Sequence, residues 1–86
     1  MKVSIVTITI SVDGSVEVTT KPFFKFEDAA KYLHSEYLDF KAENEDLTYC
    51  NDEVSNLTED SSDYFFLQSD DLEYWVCGSI NTTDVK

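Results

Sequence analysis

Eighty-six residues, 42% hydrophobic and 14% aromatic, make one folded domain, 1–86, because disordered chains are poor in aromatic and β-branched residues and larger chains are needed for a second core. A net charge of −12 without a single arginine excludes bidentate gripping of phosphate and disfavours direct contact with duplex DNA or an anionic membrane. No run approaches the ~18 apolar residues of a membrane span, and two cysteines make no disulfide framework. The opening run, MKVSIVTITISV, is broken by Thr and Ser and lacks a small-residue cleavage site, so it reads as a strand and not a secretion signal. A cytoplasmic location is the expectation.

In VSIVTITISVDGSVEVTT the apolar residues Val6, Ile8, Ile10 and Val12 alternate with Ser and Thr, and Asp13-Gly14 supplies turn chemistry. This predicts a β-hairpin. A two-residue loop would set Ile10 opposite Glu17 and Ile8 opposite Thr19. A three-residue loop, Val12-Asp13-Gly14 with a bulge at Gly14, sets Ile10 opposite Val16 and Ile8 opposite Val18, and is the register expected. Pro22 belongs at the end of the second strand, where a missing N–H is tolerable. Phe26, Ala30, Leu33, Tyr37 and Phe40 then recur at three- and four-residue spacing, which predicts a helix from about Phe26 to about Glu43 with one apolar stripe. Glu27 and Asp28 complement its dipole, and Lys25 is a weak N-cap.

From Glu43 to Asp63 the pattern is ambiguous. Leu47, Cys50, Val54 and Leu57 keep helical spacing, but Thr, Asn, Ser and Asp are poor helix formers. A short helix, an irregular loop and an edge strand around Leu47 to Cys50 all remain open. YFFLQSDDLEYWVCGSI predicts a second hairpin turning at Asp70-Asp71, with Phe66 opposite Trp75 and Leu67 opposite Tyr74. Both its faces are apolar, Phe65, Leu67, Tyr74 and Val76 on one and Tyr64, Phe66, Trp75 and Cys77 on the other. One helix covers one face, so the second must meet the acidic segment, a partner or another copy of the chain. The architecture expected is α+β, in the order β-β-α-β-β: an antiparallel sheet of about four strands with one helix packed on one face.

No catalytic or metal motif is present, and neither an enzyme nor a cofactor is expected. His34 reads as a partly exposed helix residue, and Cys50 and Cys77 as free buried thiols unless the loop near Cys50 reaches the last strand. The acids lack the fixed offsets and central glycine of an EF-hand loop. Tyr64, Phe66 and Trp75 could stack on nucleic-acid bases, but such platforms come with a basic groove.

Charge is the informative feature. Residues 1–41 hold five lysines against six acids, whereas 42–85 hold twelve acids and no lysine. Doublets recur every seven residues at Glu45-Asp46, Asp52-Glu53 and Glu59-Asp60, followed by Asp63, Asp70, Asp71 and Glu73. Gathered on one side, twelve carboxylates match the charge of about 20 Å of duplex DNA. In size, acidity, absence of arginine and the KFEDAAKYL helix between hairpins, the chain resembles in general form the small acidic proteins of phages and mobile elements that disarm bacterial defences, anti-CRISPR proteins and DNA mimics among them. The resemblance implies a non-catalytic inhibitor bound to a basic protein surface, such as the groove of a nucleic-acid enzyme or CRISPR effector. The acids from Glu45 to Glu73 would supply electrostatics, and Tyr64, Phe66 and Trp75 the packing. The alternative is a structural or adaptor protein, homodimeric through the outer face of the 64–77 hairpin, with acidity serving solubility alone.

Overall fold

The computed structural model describes residues 1–71 and 73–84. Its elements are β1 (Lys2–Val12), β2 (Ser15–Phe23), α1 (Phe26–Glu43), β3 (Tyr49–Thr58), β4 (Ser61–Ser69) and β5 (Tyr74–Asp84). The five strands form one antiparallel sheet in the order β2-β1-β5-β4-β3. The class is α+β with one helix on one face, and the strand beyond the four expected is β3.

The helix spans the residues its apolar spacing predicts, and Lys25 gives it no side-chain cap. Ala29, Ala30, Leu33 and Tyr37 are its buried residues, while Phe26 stays exposed. Ala29, Leu33 and Tyr37 form one core with Val6 and Ile8 of β1, Phe65 and Leu67 of β4 and Val76 of β5. Every alternate residue of these strands faces the helix, as strand geometry requires. Beneath Leu33 of α1, β5 carries Gly78, whose absent side chain leaves room for Phe65 and Leu33.

The first hairpin corrects the expected register. Val12 pairs with Ser15, Ile10 with Glu17 and Ile8 with Thr19 around a two-residue Asp13-Gly14 turn. Both turn residues have positive φ, 51° and 87°, the conformation whose twist suits a tight hairpin and that Asp-Gly favours. Apolar pairing failed as a guide because the helix touches β2 at its end, where Tyr32 packs on Phe23 and Lys21, and leaves the strand's residues exposed except for half-buried Phe23. With no buried face to match, turn chemistry decides, and a one-residue change of register moves Val16 and Val18 to the face away from the helix.

The second hairpin pairs Phe66 with Cys77 and Leu67 with Val76, two residues out from the expected register. The offset is even, so both face assignments survive. The connection is longer than expected because Ser69 and Asp71 build a wider turn: the Ser69 hydroxyl donates to Asp71 Oδ1, which also accepts the Glu73 N–H at 3.0 Å. Residues 49–58 form an edge strand, longer than the one considered around Leu47 to Cys50.

Gly78→Ala should be among the most damaging single changes. Its new methyl would stand 2.6 Å from Leu33 Cδ1 and within 2.9 Å of Phe65, and overpacking of this kind costs about 1–3 kcal/mol. Urea denaturation would read this as a lower midpoint; an unchanged midpoint would mean that helix and sheet do not meet here.

Candidate functional site

Because successive strands alternate in direction, three connections lie at the same end of the sheet: the Asp13-Gly14 turn, residues 44–48 and residues 70–73. Backbone hydrogen bonds join them. The Asp13 N–H donates to the Glu73 carbonyl at 2.9 Å and the Asp70 N–H to the Thr48 carbonyl at 2.9 Å. With the last helical residue, these connections carry Asp13, Glu43, Glu45, Asp46, Asp70, Asp71 and Glu73, and no lysine. Like charges so close repel, so the segments must be held by other forces.

Those forces are local. Asn44 stops the helix, donating its N–H and Nδ2–H to the Phe40 carbonyl at 3.2 and 2.9 Å. It also donates to the Tyr74 hydroxyl at 3.3 Å, and the Tyr49 hydroxyl donates to the Asn44 carbonyl at 3.4 Å. Burial, with the charges of Tyr49 and Glu43 nearby, pushes the Tyr74 phenol up to about 12. In the 70–73 connection the Ser69 hydroxyl and the Glu73 N–H hold the Asp71 carboxyl below its ordinary value. Asp71 thus builds the turn as well as carrying charge.

The twelve acids of residues 42–85 do not share one flank, which corrects the arrangement considered from sequence. Glu59 and Asp60 occupy the β3–β4 turn at the opposite end, where the Thr58 hydroxyl donates to Asp60 at 2.9 Å. Asp84 ends β5 on that side too, and Lys86 lies outside the described residues. Asp52 and Glu53, adjacent on β3, point to opposite faces. Asp52 meets the helix, accepting from the Tyr37 hydroxyl at 2.6 Å and pairing with Lys41 at 2.8 Å; Glu53 stands opposite Phe66 on the other face. Asp63 is the extra residue of a β4 bulge, since Ser55 pairs with Tyr64 and Asn56 with Ser62. Its Oδ1 is buried with no hydrogen-bond partner among the described residues.

No element of the described chain covers the sheet face opposite the helix. The acidic segment, one of the covers considered, extends the sheet as β3 and leaves that face open. On it Tyr64 pairs with Ser79, Phe66 with Cys77 and Gln68 with Trp75. Tyr64 is 42% exposed; Phe66 and Trp75 are half-buried. Val16 and Val18 join them, 58% and 60% exposed. Sequence reasoning missed these two valines, and with them Asp13 and Glu43 at the acidic end. Asp-Gly turn geometry would have placed Val16 and Val18, but strand order, which alone places Asp13 beside Glu73, leaves no local signal.

Other candidates separate. His34 is half-buried on α1, its Nδ1 2.8 Å from the Ser62 hydroxyl, which donates to Asn56 at 3.2 Å. No acid orients the imidazole in this chain of contacts, as a nucleophile-base pair requires. Cys50 and Cys77 are free thiols on strands separated by β4, and Cys50 is exposed where burial was expected. No three metal-ligating side chains converge among the described residues. A groove of about 440 Å³ runs between the start of α1 and the β3–β4 turn, lined by Phe26, Ala30, Leu57 and Ser61. None of the described helices is long and apolar enough to cross a membrane. No family model matches the chain, and neither a curated protein nor a solved structure is similar to it.

The Lys41–Asp52 contact, which ties β3 to the helix, predicts a pH dependence. Burial raises the Asp52 carboxyl, but hydrogen bonds from Lys41 and Tyr37 and the Lys41 charge outweigh it, so its pKa falls below the ordinary value. A carboxyl depressed in the folded state stabilises above about pH 4 and loses that contribution as pH drops through its folded pKa. The pair is partly exposed, so wild type should exceed Asp52→Asn by no more than about 1 kcal/mol at pH 7. Urea midpoints of the two should converge by about pH 2; a gap of equal size at both pH values would contradict the assignment.

Proposed function

We propose that the protein is a non-catalytic inhibitor whose acidic end enters a basic nucleic-acid-binding groove and excludes the nucleic acid. The observation that supports this reading is the joined set of three connections carrying seven carboxylates and no cation. Adjacent strands lie about 4.8 Å apart, so a five-stranded edge is about 19 Å wide. Seven charges across that width give one per ~3 Å, close to the ~3.4 Å spacing along one strand of duplex DNA. The charge count therefore suits imitation of a single strand better than of a whole duplex.

The attraction acts at long range and speeds encounter, whereas slow dissociation needs apolar anchors. Trp75, the second residue of β5, stands next to the acidic end on the open face, with Phe66 one cross-strand step further along. Tyr64 is nearer the opposite end, beside Ser79, and is an outlying contact in this arrangement. A CRISPR effector or another phage-targeting nuclease has a groove of the required chemistry, lined by Lys and Arg for a phosphate backbone. Glu53 adds charge on the open face beside Phe66. Glu59, Asp60 and Asp63 lie near the far end, and Asp52 is engaged by Lys41, so they contribute little to this docking.

Inhibition of guide-loaded effectors and DNA-processing nucleases, titrated against duplex concentration, tests the reading. Competitive inhibition is expected, weaker by at least tenfold between ~50 and ~500 mM salt, because exposed charges are screened over that range. Combining Glu45→Gln, Asp46→Asn, Asp70→Asn and Glu73→Gln should weaken it to a similar degree while sparing Asp71, which the turn requires. Inhibition that ignores both salt and these substitutions, or that leaves DNA bound, would refute it.

A further inference from the structure

We propose that β2 is a self-complementary edge through which two copies of the chain join into one ten-stranded antiparallel sheet. This inference is independent of the inhibitor reading and uses a different surface. β2 pairs only with β1 among the described strands, runs nine residues without a register shift, and is exposed except at half-buried Phe23, touching the helix where Lys21 and Phe23 pack on Tyr32. The other edge, β3, is broken by three register shifts, carries Asp52 and Glu53, and is tied to α1 through Asp52.

Backbone alternation sets what the edge offers. A two-residue turn makes Val12–Ser15 a hydrogen-bonded pair, and bonded pairs then alternate with non-bonded ones. Ser15, Glu17, Thr19 and Lys21 therefore direct their polar backbone groups to β1, and Val16, Val18, Thr20 and Pro22 direct theirs outward. Pro22, opposite Ile5, agrees, since it has no N–H to give to β1. Its carbonyl remains available at the edge.

The side chains select one register. An antiparallel pair with Thr19 opposite the Thr19 of the second copy sets Val18 opposite Thr20 and Val16 opposite Pro22, every one an outward-bonding position. About six backbone hydrogen bonds result. The same register sets Glu17 opposite Lys21 twice, once on each side of the two-fold axis. A displacement by two residues loses both charge pairs, and a displacement by four sets Glu17 against Glu17 or Lys21 against Lys21. Odd displacements oppose outward groups to inward ones. Lys21 is held over this face, its Nζ 4.6 Å from the Tyr32 ring centroid.

Net charge does not forbid the contact. Residues 1–25 contain Lys2, Lys21 and Lys25 against Asp13 and Glu17, a net of +1 in a chain of −12. The acidic edge strand is about 19 Å away across the sheet, beyond the ~8 Å screening length of physiological salt. The two-fold axis stands perpendicular to the sheet, so both helices share a face, exposed Val18 of each copy stands beside Thr20 of the other on the reverse face, and the two acidic ends point in opposite directions.

Analytical ultracentrifugation across micromolar to millimolar protein should show a monomer–dimer equilibrium. Glu17→Lys alone and Lys21→Glu alone should each raise the dissociation constant on the order of tenfold, and the two together should restore it, since directly opposed charges act in both pairs. In a Cys50→Ser, Cys77→Ser background, Thr19→Cys should give a covalent dimer under mild oxidation, because facing non-bonded positions lie about 4.5 Å apart, within disulfide range. Ser55→Cys on β3 should not. A strict monomer, no rescue by the double charge swap, or a dimer that Thr19→Cys fails to cross-link would each overturn the proposal; the last would point to the aromatic open face or a foreign strand as the true contact.

Discussion

Gly78 is the point on which the helix and sheet depend. A side chain there would run into Leu33 and Phe65, both fully buried, so a hydrogen at this position is what allows α1 to lie directly on the middle of the sheet. Phe65 then fills the space across β5, and Tyr37 packs on it with ring centroids 5.5 Å apart. A small domain has one core to work with. Here that core is a strip beneath the helix formed by parts of β1, β5 and β4.

The position of that strip decides which surfaces are left over. By lying over β4, β5 and β1, the helix leaves most of β2 exposed, and Phe23 and Lys21 against Tyr32, the former at 5.3 Å between ring centroids, link the strand's far end to the helix. The reverse face of the sheet keeps its aromatics uncovered because the one helix of the described residues lies on the other face. The strand order that brings β1 beside β5 also carries the first turn to the β4–β5 connection, so Asp13 from the lysine-bearing half joins the acids of the other half. Packing, edge chemistry and charge are thus consequences of one helix placement.

Much of this was legible in the sequence where burial is one-sided. The helix limits followed from Phe26, Ala30, Leu33, Tyr37 and Phe40, and the α+β class from the alternation in β1. Both faces of the second hairpin were assigned correctly although its register was not, since an error of two residues preserves side-chain parity. β3 was ambiguous for a physical reason: an edge strand exposed on most of its length imposes no period of two, and Leu47, Cys50, Val54 and Leu57 kept helical spacing by chance. The first register failed because apolar pairing was applied to a strand that buries almost nothing. At the site, the acids were visible but their grouping was not. It depends on which connections share an end of the sheet, and no local pattern encodes strand order.

The electrostatic account reduces to one statement, that negative potential is focused at the end formed by the Asp13-Gly14 turn, residues 44–48 and residues 70–73. Amide chemical-shift mapping during titration with an arginine-rich peptide examines it directly. Perturbations concentrated at those three connections, and fading as salt is raised, are the predicted result. Perturbations spread evenly over the surface, or strongest around Glu59 and Asp60 at the opposite end, would contradict it.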